Sequence, residues 1–268
     1  MSTIHLDPPR VAADRLPPVV TVVSPKGGSG KTAIASNLAL ALAQRTPSVL
    51  VDLDTYTGDV EWAFGVRPAF RLHDVTRRFR EDASTELEGM FTPYGAQLSL
   101  LCGPDSHIAA DGVYAADMRT INHRLLALNR PVVFDTSPGL SDFTVDAMET
   151  ASRVLLVTTT DVASVQAARK LLDTMRVLHL PTERVSLAIN RSTARWGLSV
   201  NDVEERLGLP VSLNIPDSSQ MEISLNAGTP LLDAHPESHI ADSVQSFADS
   251  LLGITLGKRM SFWWKRKP

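Results

Sequence analysis

The sequence contains a single cysteine, Cys102, among its 268 residues. One cysteine excludes a disulfide framework, a multi-cysteine zinc site and an iron–sulfur cluster built within one chain. No stretch reaches the roughly 18 consecutive apolar residues of a membrane-spanning helix. The first residues, MSTIHLDPPRVAADRLPP, carry acids and prolines where a signal peptide needs an apolar run. We therefore expect a cytoplasmic protein with a flexible leader at 1–18.

Basic residues are few and unevenly placed. The chain has 26 Lys and Arg against 30 Asp and Glu, a net charge of −4. Residues 257–268 hold five basic residues and no acid, which leaves 21 basic against 30 acidic side chains, a net charge of −9, in the rest. An acidic body with a basic end indicates one localised contact with an anionic surface. Nucleic acid is disfavoured as a partner, because DNA binding needs Lys and Arg contacts to phosphates.

Short apolar runs alternate with helical patterns along the chain. The predicted strands are Val19–Ser24, Ser48–Leu53, Gln97–Cys102, Pro131–Asp135, Arg153–Thr158, Val185–Asn190 and Val211–Ile215. The predicted helices are Thr32–Gln44, Leu72–Phe79, Ala116–Asn129, Val162–Leu178, Val200–Leu207, Gln220–Asn226 and His239–Leu252. This alternation predicts an α/β fold with a doubly wound, mostly parallel sheet and helices on both faces. We expect one domain over 19–255, followed by a basic aromatic tail at 256–268.

A glycine-rich loop follows the first predicted strand directly. It reads Pro25-Lys26-Gly27-Gly28-Ser29-Gly30-Lys31-Thr32 and runs into a predicted helix. Its glycines let successive backbone amides point at phosphate oxygens, and the helix N-terminus adds its dipole. Lys31 can reach the β- and γ-phosphates, and the Thr32 hydroxyl can bind Mg²⁺. An ordinary glycine-rich turn is the alternative, but strand, loop, Lys-Thr and helix in this order favour a phosphate loop.

Carboxylates end two of the predicted strands. Asp52 and Asp54 follow the second strand, and an apolar run ends in Asp135, the Walker B pattern. Asp135 is expected to hold Mg²⁺ through water, and Asp52 to support the ion. The residues after Asp135, Ser137–Leu140, are expected to sense the γ-phosphate. The alternative interpretation of Asp52 and Asp54 is that they form a turn at the end of the strand.

The loop spelling K-G-G-x-G-K-[ST] is the deviant Walker A signature, and with it the sequence resembles the MinD/ParA class of ATPases. The resemblance covers about residues 19–255. It implies ATP and Mg²⁺ as ligands, a homodimer on ATP binding, and Lys26 reaching across that dimer to the partner's phosphates. It also implies that Asp54 orients the attacking water and that Asn190 contacts adenine, with Pro216 and Asp217 in a second base-binding segment. For Asn190 a cap on the strand end is the alternative.

Within the class, the sequence resembles the CpaE/TadZ branch. The similarity lies in Gly58-Asp59-Val60, Arg67-Pro68, Leu72-His73-Asp74-Val75 and the stretch Asp135–Asp142. The branch implies an ATPase that positions an envelope machine, here type IV pilus or secretion assembly, with division-site placement as a related role. Two alternatives stay open, a ParA-like DNA-partitioning ATPase and a low-turnover scaffold clamped by nucleotide. The arginines of one predicted helix, Arg71, Arg77, Arg78 and Arg80, are interpreted as a solvated face rather than a DNA patch.

The C-terminal residues 252–267 predict an amphipathic basic helix. On a helical wheel, one arc of about 120° holds Leu252, Leu256, Met260, Trp263 and Trp264, with the basic residues beside it. Such a helix suits an anionic bilayer surface, so we expect peripheral attachment to the inner face of the cell membrane. The alternatives are a frayed tail or a helix packed on the body or on a partner.

Overall fold

The computed structural model describes residues 16–193 and 196–254. Its strands are β1 (Val19–Val23), β2 (Ser48–Leu53), β3 (Thr92–Tyr94), β4 (Leu98–Leu101), β5 (Val132–Thr136), β6 (Arg153–Thr158), β7 (Val185–Ile189) and β8 (Val211–Asn214). Its helices are α1 (Lys31–Ala43), α2 (Val60–Phe64), α3 (Leu72–Glu81), α4 (His107–Ala110), α5 (Ala115–Ala127), α6 (Asp142–Thr150), α7 (Val162–Val177), α8 (Val200–Leu207), α9 (Ser219–Asn226), α10 (Leu231–Ala234) and α11 (His239–Leu251).

The strands form one eight-stranded sheet in the order β3-β4-β2-β5-β1-β6-β7-β8. All neighbouring pairs are parallel except β3 with β4 at the edge. Strands β1, β2, β5 and β7 are buried along their whole length, because helices cover both faces. The predicted doubly wound α/β fold is therefore confirmed.

Three apolar clusters fill the space between the sheet and its helices. On one face, α1, α2, α10 and α11 pack on the sheet around Leu38, Leu42 and Val244. On the other face, α3 and α5 form a second cluster, and α6, α7 and α8 form a third. Every parallel strand ends at the same edge, so the loops that follow them are brought together there.

The seven predicted strands are all present, with their ends within one residue of the observed ends. The sequence missed β3, which has three residues, contains Pro93 and pairs only at the sheet edge, where proline is tolerated. The strand that ends near Asp135 is consequently the fifth in the chain, not the fourth. Helices α2, α4 and α10 were also missed, because four or five residues are too few for a clear helical period. The nine-residue helix α6 was missed as well.

The prediction that Leu252 belongs to the apolar stripe of the tail is wrong. Helix α11 ends at Leu251, and Leu252 is its cap residue, with its side chain buried in the first apolar cluster. Gly253 then adopts φ of +69°, and the N–H of Ile254 donates to the carbonyl of Asp249, which closes the helix end. The remaining residues of the predicted tail helix lie outside the described part of the chain. Within the described residues, no helix is long and apolar enough to cross a membrane.

Candidate nucleotide site

The glycine-rich loop connects β1 to α1 at the centre of the sheet edge. Gly28 and Gly30 adopt φ of +73° and +90°, the left-handed region that favours glycine. Gly30 caps α1, and no side chain of the described residues accepts a hydrogen bond from the first turn of that helix. The N–H groups of this turn are thus available to an anion. Lys31 begins the helix and is only 7% exposed, so its ammonium group lies inside the loop region and not in bulk solvent.

Neighbouring segments hold the loop in place. The N–H of Gly139 donates to the carbonyl of Ser24 at 2.9 Å, and a side chain at Gly27 would meet Pro138 at an ordinary contact distance. On the other side, the side-chain amide of Asn190 donates to the carbonyl of Ser29 at 2.9 Å. The segment after β5, which was expected to sense the γ-phosphate, therefore contacts the loop directly.

Asp135 is buried at the end of β5 beside the start of α1. Neither of its carboxylate oxygens has a hydrogen-bond partner among the described residues. Burial raises the pKa of Asp135 to about 7, although the Thr32 hydroxyl and the Lys31 ammonium group act to lower it. A buried acid with both oxygens unpartnered, next to a threonine hydroxyl, offers the oxygen donors that Mg²⁺ prefers. The residues present therefore fit a magnesium ion.

This arrangement does not form an all-protein metal cage. The described residues contain no cluster of three or more His, Cys, Asp or Glu side chains that could hold a metal ion. Mg²⁺ is commonly held by one or two protein groups together with substrate phosphates and water. Asp135 and Thr32 are the groups that would hold it here.

Asp52 lies opposite Asp135 on β2, but its oxygens are engaged. One accepts the N–H of Asp54 at 3.0 Å and the other accepts the N–H of Val60 at 3.3 Å. Burial, followed by the charge of Asp135, raises the pKa of Asp52 well above its usual range. A side chain at Gly58 would collide with the Asp52 carboxylate, so the Gly58-Asp59-Val60 segment folds over this residue. In this structure Asp52 braces the turn after β2, and its support of Mg²⁺ stays a prediction.

Asp54 begins the turn that follows β2. Its carboxylate accepts the N–H of Thr57 at 3.1 Å and the hydroxyl of Thr57 at 2.9 Å. Its charge contributes to the raised pKa values of Asp59 and Asp135. Thr57 was not among the predicted site residues. An Asp followed three residues later by Thr is a recurring turn pattern and could have indicated it.

The predicted base-side residues lie at the ends of β7 and β8. The N–H of Asp217 donates to the Thr193 hydroxyl at 3.0 Å, which joins the two loops. Arg191 forms an ion pair with Glu222 of α9 at 2.8 Å. Pro216 is half-buried and Asp217 is exposed, whereas Asn190 is buried against the phosphate loop.

Lys26 is exposed beside a pocket of about 300 Å³ on the outer side of the loop. The pocket is lined by Ser24–Ser29, Thr158, Thr159, Asp161, Ser164 and Arg191. Burial raises the pKa of Asp161, but hydrogen bonds from Ser164 and Thr159 and the charge of Lys26 outweigh it and lower the pKa to about 2. Asp161 is the N-cap of α7 and was not among the predicted site residues.

Known proteins match most of the length of this chain, and solved structures among them have the same fold. The relative "Septum site-determining protein MinD" of Thermotoga maritima is 26% identical over 244 residues, covering 88% of this chain and 88% of that protein. A ParA family ATPase of Chlorobium tepidum superposes with a TM-score of 0.79 at 23% identity, over 85% of this chain and 98% of that one. MinD of Pyrococcus horikoshii, solved in complex with Mg-ADP, superposes with a TM-score of 0.76 at 20% identity, over 87% and 94%.

The profile of one protein family extends across most of the chain. It is described as the CobQ/CobB/MinD/ParA nucleotide binding domain and matches residues 20–231. That match begins in β1 and ends in α10, so it contains the glycine-rich loop, the strand ends that carry Asp52, Asp135 and Asn190, and both base-side loops. The chain therefore belongs to the CobQ/CobB/MinD/ParA nucleotide-binding family, which includes the MinD and ParA ATPases.

Proposed function

We propose that this protein is an ATPase that binds Mg-ATP, pairs with a second copy of itself, hydrolyses ATP slowly and thereby positions an envelope-associated machine. The observation that carries the proposal is the phosphate loop beside Asp135, which is buried and has no hydrogen-bond partner in the described part of the chain. A loop with two left-handed glycines and a helix start capped by glycine, which offers no side-chain acceptor, is suited to phosphate, and the adjacent acid is suited to the metal that accompanies it.

Each group at the edge has a distinct role in nucleotide binding. The N–H groups at the start of α1 and the Lys31 ammonium group bind the phosphates. Thr32 and Asp135 hold Mg²⁺, which neutralises phosphate charge when it is bound. Pro216 and Asp217 lie at the end of β8, where a base can be accommodated beside the phosphate loop.

Hydrolysis is assigned to Asp54 and Lys26. Asp54 lies on the same edge as Asp135, and Thr57 holds its carboxylate in one orientation, as a residue that orients water requires. Lys26 is exposed and is not needed to line the cradle of its own chain, so it is free to reach the phosphates of a second copy. Positive charge supplied in trans stabilises charge that develops during phosphoryl transfer.

Large apolar side chains are exposed at the sheet edge that carries the phosphate loop. Trp196 after β7 is 96% exposed, Ile108 after β4 is 87% exposed, and Tyr56 after β2 and Val162 after β6 are more than half exposed. All four follow the carboxyl ends of strands and so lie at the same edge as the loop. A second copy docked over the nucleotide would bury them, which supports a homodimer across this edge.

The envelope role is supported by sequence features of the CpaE/TadZ kind and by the basic tail. Five basic residues near anionic lipid contribute at most ~5 kcal/mol, and ordering the tail offsets part of it. One tail is therefore a weak anchor, whereas two tails on an ATP-bound dimer gain avidity of ~10²–10⁴. We propose a cytoplasmic protein that attaches peripherally to the inner membrane face when dimeric and recruits a protein of an envelope machine.

The arginines of α3 favour this role over DNA partitioning. Arg71 forms an ion pair with Glu61 at 2.5 Å, Arg77 with Asp74 at 2.9 Å, and Arg80 with Asp117. Arg78 stacks over the ring of Phe70. A cluster in which three of the four arginines pair with acids of the same chain is a poor phosphate-binding surface.

The full-length chain tests the proposal directly. Light scattering should show a monomer with ADP and a dimer with ATP, and the Lys31→Ala variant should stay monomeric in both. Flotation with vesicles of phosphatidylglycerol and phosphatidylcholine should recover the ATP-bound protein. Salt-dependent binding of DNA instead of vesicles would indicate partitioning. A dimer and vesicle binding with no turnover, with or without lipid, would indicate a nucleotide-clamped scaffold.

A further inference from the structure

Arg71, the residue that precedes α3, is packed between α2 and the loop that follows β4. Its side chain is 17% exposed, against 61% for Arg77 on the same helix, so the solvated face predicted for these arginines does not include it. One guanidinium nitrogen donates to the Glu61 carboxylate of α2 at 2.5 Å, and another donates to the carbonyl of Gly103 at 3.2 Å. Its Nε lies 3.9 Å from the carboxylate of Asp105. A single side chain therefore links α2 to the loop after β4.

The backbone at Arg71 is held as well. Its N–H donates to the carboxylate of Asp74 at 3.1 Å, and the N–H of Leu72 donates to the carbonyl of Cys102 at 2.9 Å. The first bond closes the N-terminus of α3, and the second joins that helix to the residue that ends β4. The guanidinium group, a planar fork of donors, therefore extends from a fixed point and can bridge two acceptors at once.

Glu61 lies just beyond the turn that carries Asp54. That turn leaves β2 and folds back on Asp52, whose two oxygens accept the N–H groups of Asp54 and Val60. Glu61 follows Val60 directly, and its side chain is only 15% exposed, so water competes little for its ion pair with Arg71. The ion pair thus fixes the residue next to the one that closes the turn.

Gly103 lies against the start of the same turn. A Cβ at Gly103 would meet the carboxylate of Asp52 and the carbonyl of Asp54 at 3.4 Å, so the Gly103 backbone packs on both residues. The carbonyl of Gly103 is the group that accepts from Arg71. Removal of the guanidinium group would therefore release the turn at both of its ends.

We infer that Arg71 is a positioning residue for hydrolysis: by holding Glu61 and Gly103 it fixes the turn from which Asp54 orients the attacking water. This inference rests on the proposed function, because Asp54 acts on a nucleotide bound at the phosphate loop. Among the described residues, the hydrogen bonds and ion pairs of Arg71 do not reach that loop or Asp135. Loss of Arg71 should therefore lower turnover and leave nucleotide affinity unchanged.

Steady-state kinetics and calorimetric titration of Mg-ATP measure these two quantities separately. For Arg71→Gln we expect kcat to fall about 10–100-fold, because a small misplacement of a group that orients a reactant is enough for such a loss. The affinity for Mg-ATP and the ATP-dependent dimer should match those of the wild type. A wild-type kcat in Arg71→Gln overturns the inference, and so does an equal loss in kcat and in affinity.

Arg80→Gln is the matched control. Arg80 lies on the same helix and has the same kinds of partner, the carboxylate of Asp117 and the carbonyl of Gly112 at 2.8 Å, but it joins α3 to α5 and not to the Asp54 turn. Its substitution should leave kcat unchanged. A loss of kcat in Arg80→Gln as large as that in Arg71→Gln overturns the specific role.

Amide hydrogen exchange supplies a readout that does not depend on activity. In Arg71→Gln the N–H of Val60 should exchange faster than in the wild type while the N–H groups of β5 keep their rates, because the release is local. Equal acceleration at both places would show a general loss of stability and overturns the inference.

Arg71→Lys decides the matter if Arg71→Gln does not fold. Its ammonium group keeps a positive charge beside Glu61 but lacks the fork that also reaches Gly103. This variant should bind Mg-ATP like the wild type and have a lowered kcat, and a wild-type kcat overturns the inference. Wild-type protein that neither binds nor hydrolyses ATP overturns the proposed function instead.

Discussion

Asp52 and Asp135 occupy directly paired positions on the neighbouring parallel strands β2 and β5. Both are buried, and burial raises the pKa of each. Their hydrogen bonding nevertheless differs, because Asp52 accepts two backbone N–H groups while the oxygens of Asp135 have no partner among the described residues. Two aspartates at paired positions thus differ: Asp52 braces the turn after β2, whereas Asp135 carries the metal-binding role that we propose for it.

Because the oxygens of Asp52 are engaged and those of Asp135 are not, we expect the same substitution, Asp to Asn, to have a different effect at each position. Asp135→Asn should remove most of the Mg²⁺ dependence of nucleotide affinity, by about 10–100-fold, because the metal loses its protein acid. Asp52→Asn should instead lower the melting temperature, because it weakens the hydrogen bonds that hold the turn after β2. Calorimetric titration of ADP with and without Mg²⁺ measures the first effect, and an unchanged Mg²⁺ dependence in Asp135→Asn would contradict the assignment.

The phosphate loop should not accept a side chain at position 30. Gly30→Ala would force alanine into φ of +90° and against Asn190, so we expect ATP affinity to fall at least about tenfold. Gly89→Ala is the control, because a Cβ at Gly89 meets nothing within 4 Å. Equal ATP affinities of Gly30→Ala and the wild type, measured by fluorescence titration, would refute this.

Asp54→Ala should separate binding from hydrolysis. The variant keeps Lys31, the loop and Asp135, so ATP affinity and the ATP-dependent dimer should persist. Turnover should fall about 10²-fold or more, because the attacking water is no longer oriented. Phosphate release and light scattering measure the two properties. The control is Glu183→Ala, an exposed acid that precedes β7 and so lies at the opposite edge. Loss of the dimer in Asp54→Ala would contradict the assigned role.

Lys26→Ala should weaken membrane binding although it leaves the sequence of the C-terminal tail unchanged. The monomeric variant should bind ATP almost normally, but its dimer should be weaker because it lacks the contact from Lys26 to the partner's phosphates. Since one C-terminal tail binds lipid weakly and two are needed, the loss of the dimer should also reduce membrane binding. Lys170→Ala, an exposed lysine on α7, is the control. If Lys26→Ala floats with vesicles as well as the wild type does, the tail is not gated by the dimer.

Substitutions in the C-terminal tail should remove membrane binding while leaving the ATP-dependent dimer intact. The double variant Trp263→Glu and Trp264→Glu should dimerise with ATP normally, because the phosphate loop and Lys26 are intact. It should lose flotation with anionic vesicles, because two apolar side chains no longer enter the interface. Flotation equal to that of the wild type would show that the tail is not an anchor.

Cys102 should make the stability fall at high pH. Burial and the charges of Asp52 and Glu61 raise the pKa of its thiol to about 12, against about 8.5 in an unfolded chain. The unfolded state releases the proton first, so this contribution to stability is complete below about pH 8.5 and is lost as the pH rises toward 12. Urea unfolding measures the free energy of unfolding of the wild type and of Cys102→Ala. We expect the wild-type value minus the variant value to fall by up to about 1.4 kcal/mol per pH unit between about pH 9 and 11. A constant difference would contradict the buried thiol.

Much of this protein is determined by its sequence alone. Apolar runs of four to six residues separated by helical periods led to the fold, because parallel strands buried on both faces leave a strong local pattern. The phosphate loop could also be predicted from the sequence, because its glycines, Lys31 and Thr32 are close together in the chain and act together at one site. The family match includes this loop and extends over residues 20–231.

Only the tertiary structure decided which polar groups meet. The pairing of Asp52 with Asp135, the hold of Asn190 on Ser29 and the burial of Leu252 join residues far apart in the chain. These contacts depend on which strands pair and which helices pack on the sheet, and the residues that meet are separated by long stretches of the chain. Side chains that look equivalent in the sequence, such as two aspartates at strand ends, therefore acquire different roles once the fold determines which of their oxygens find partners.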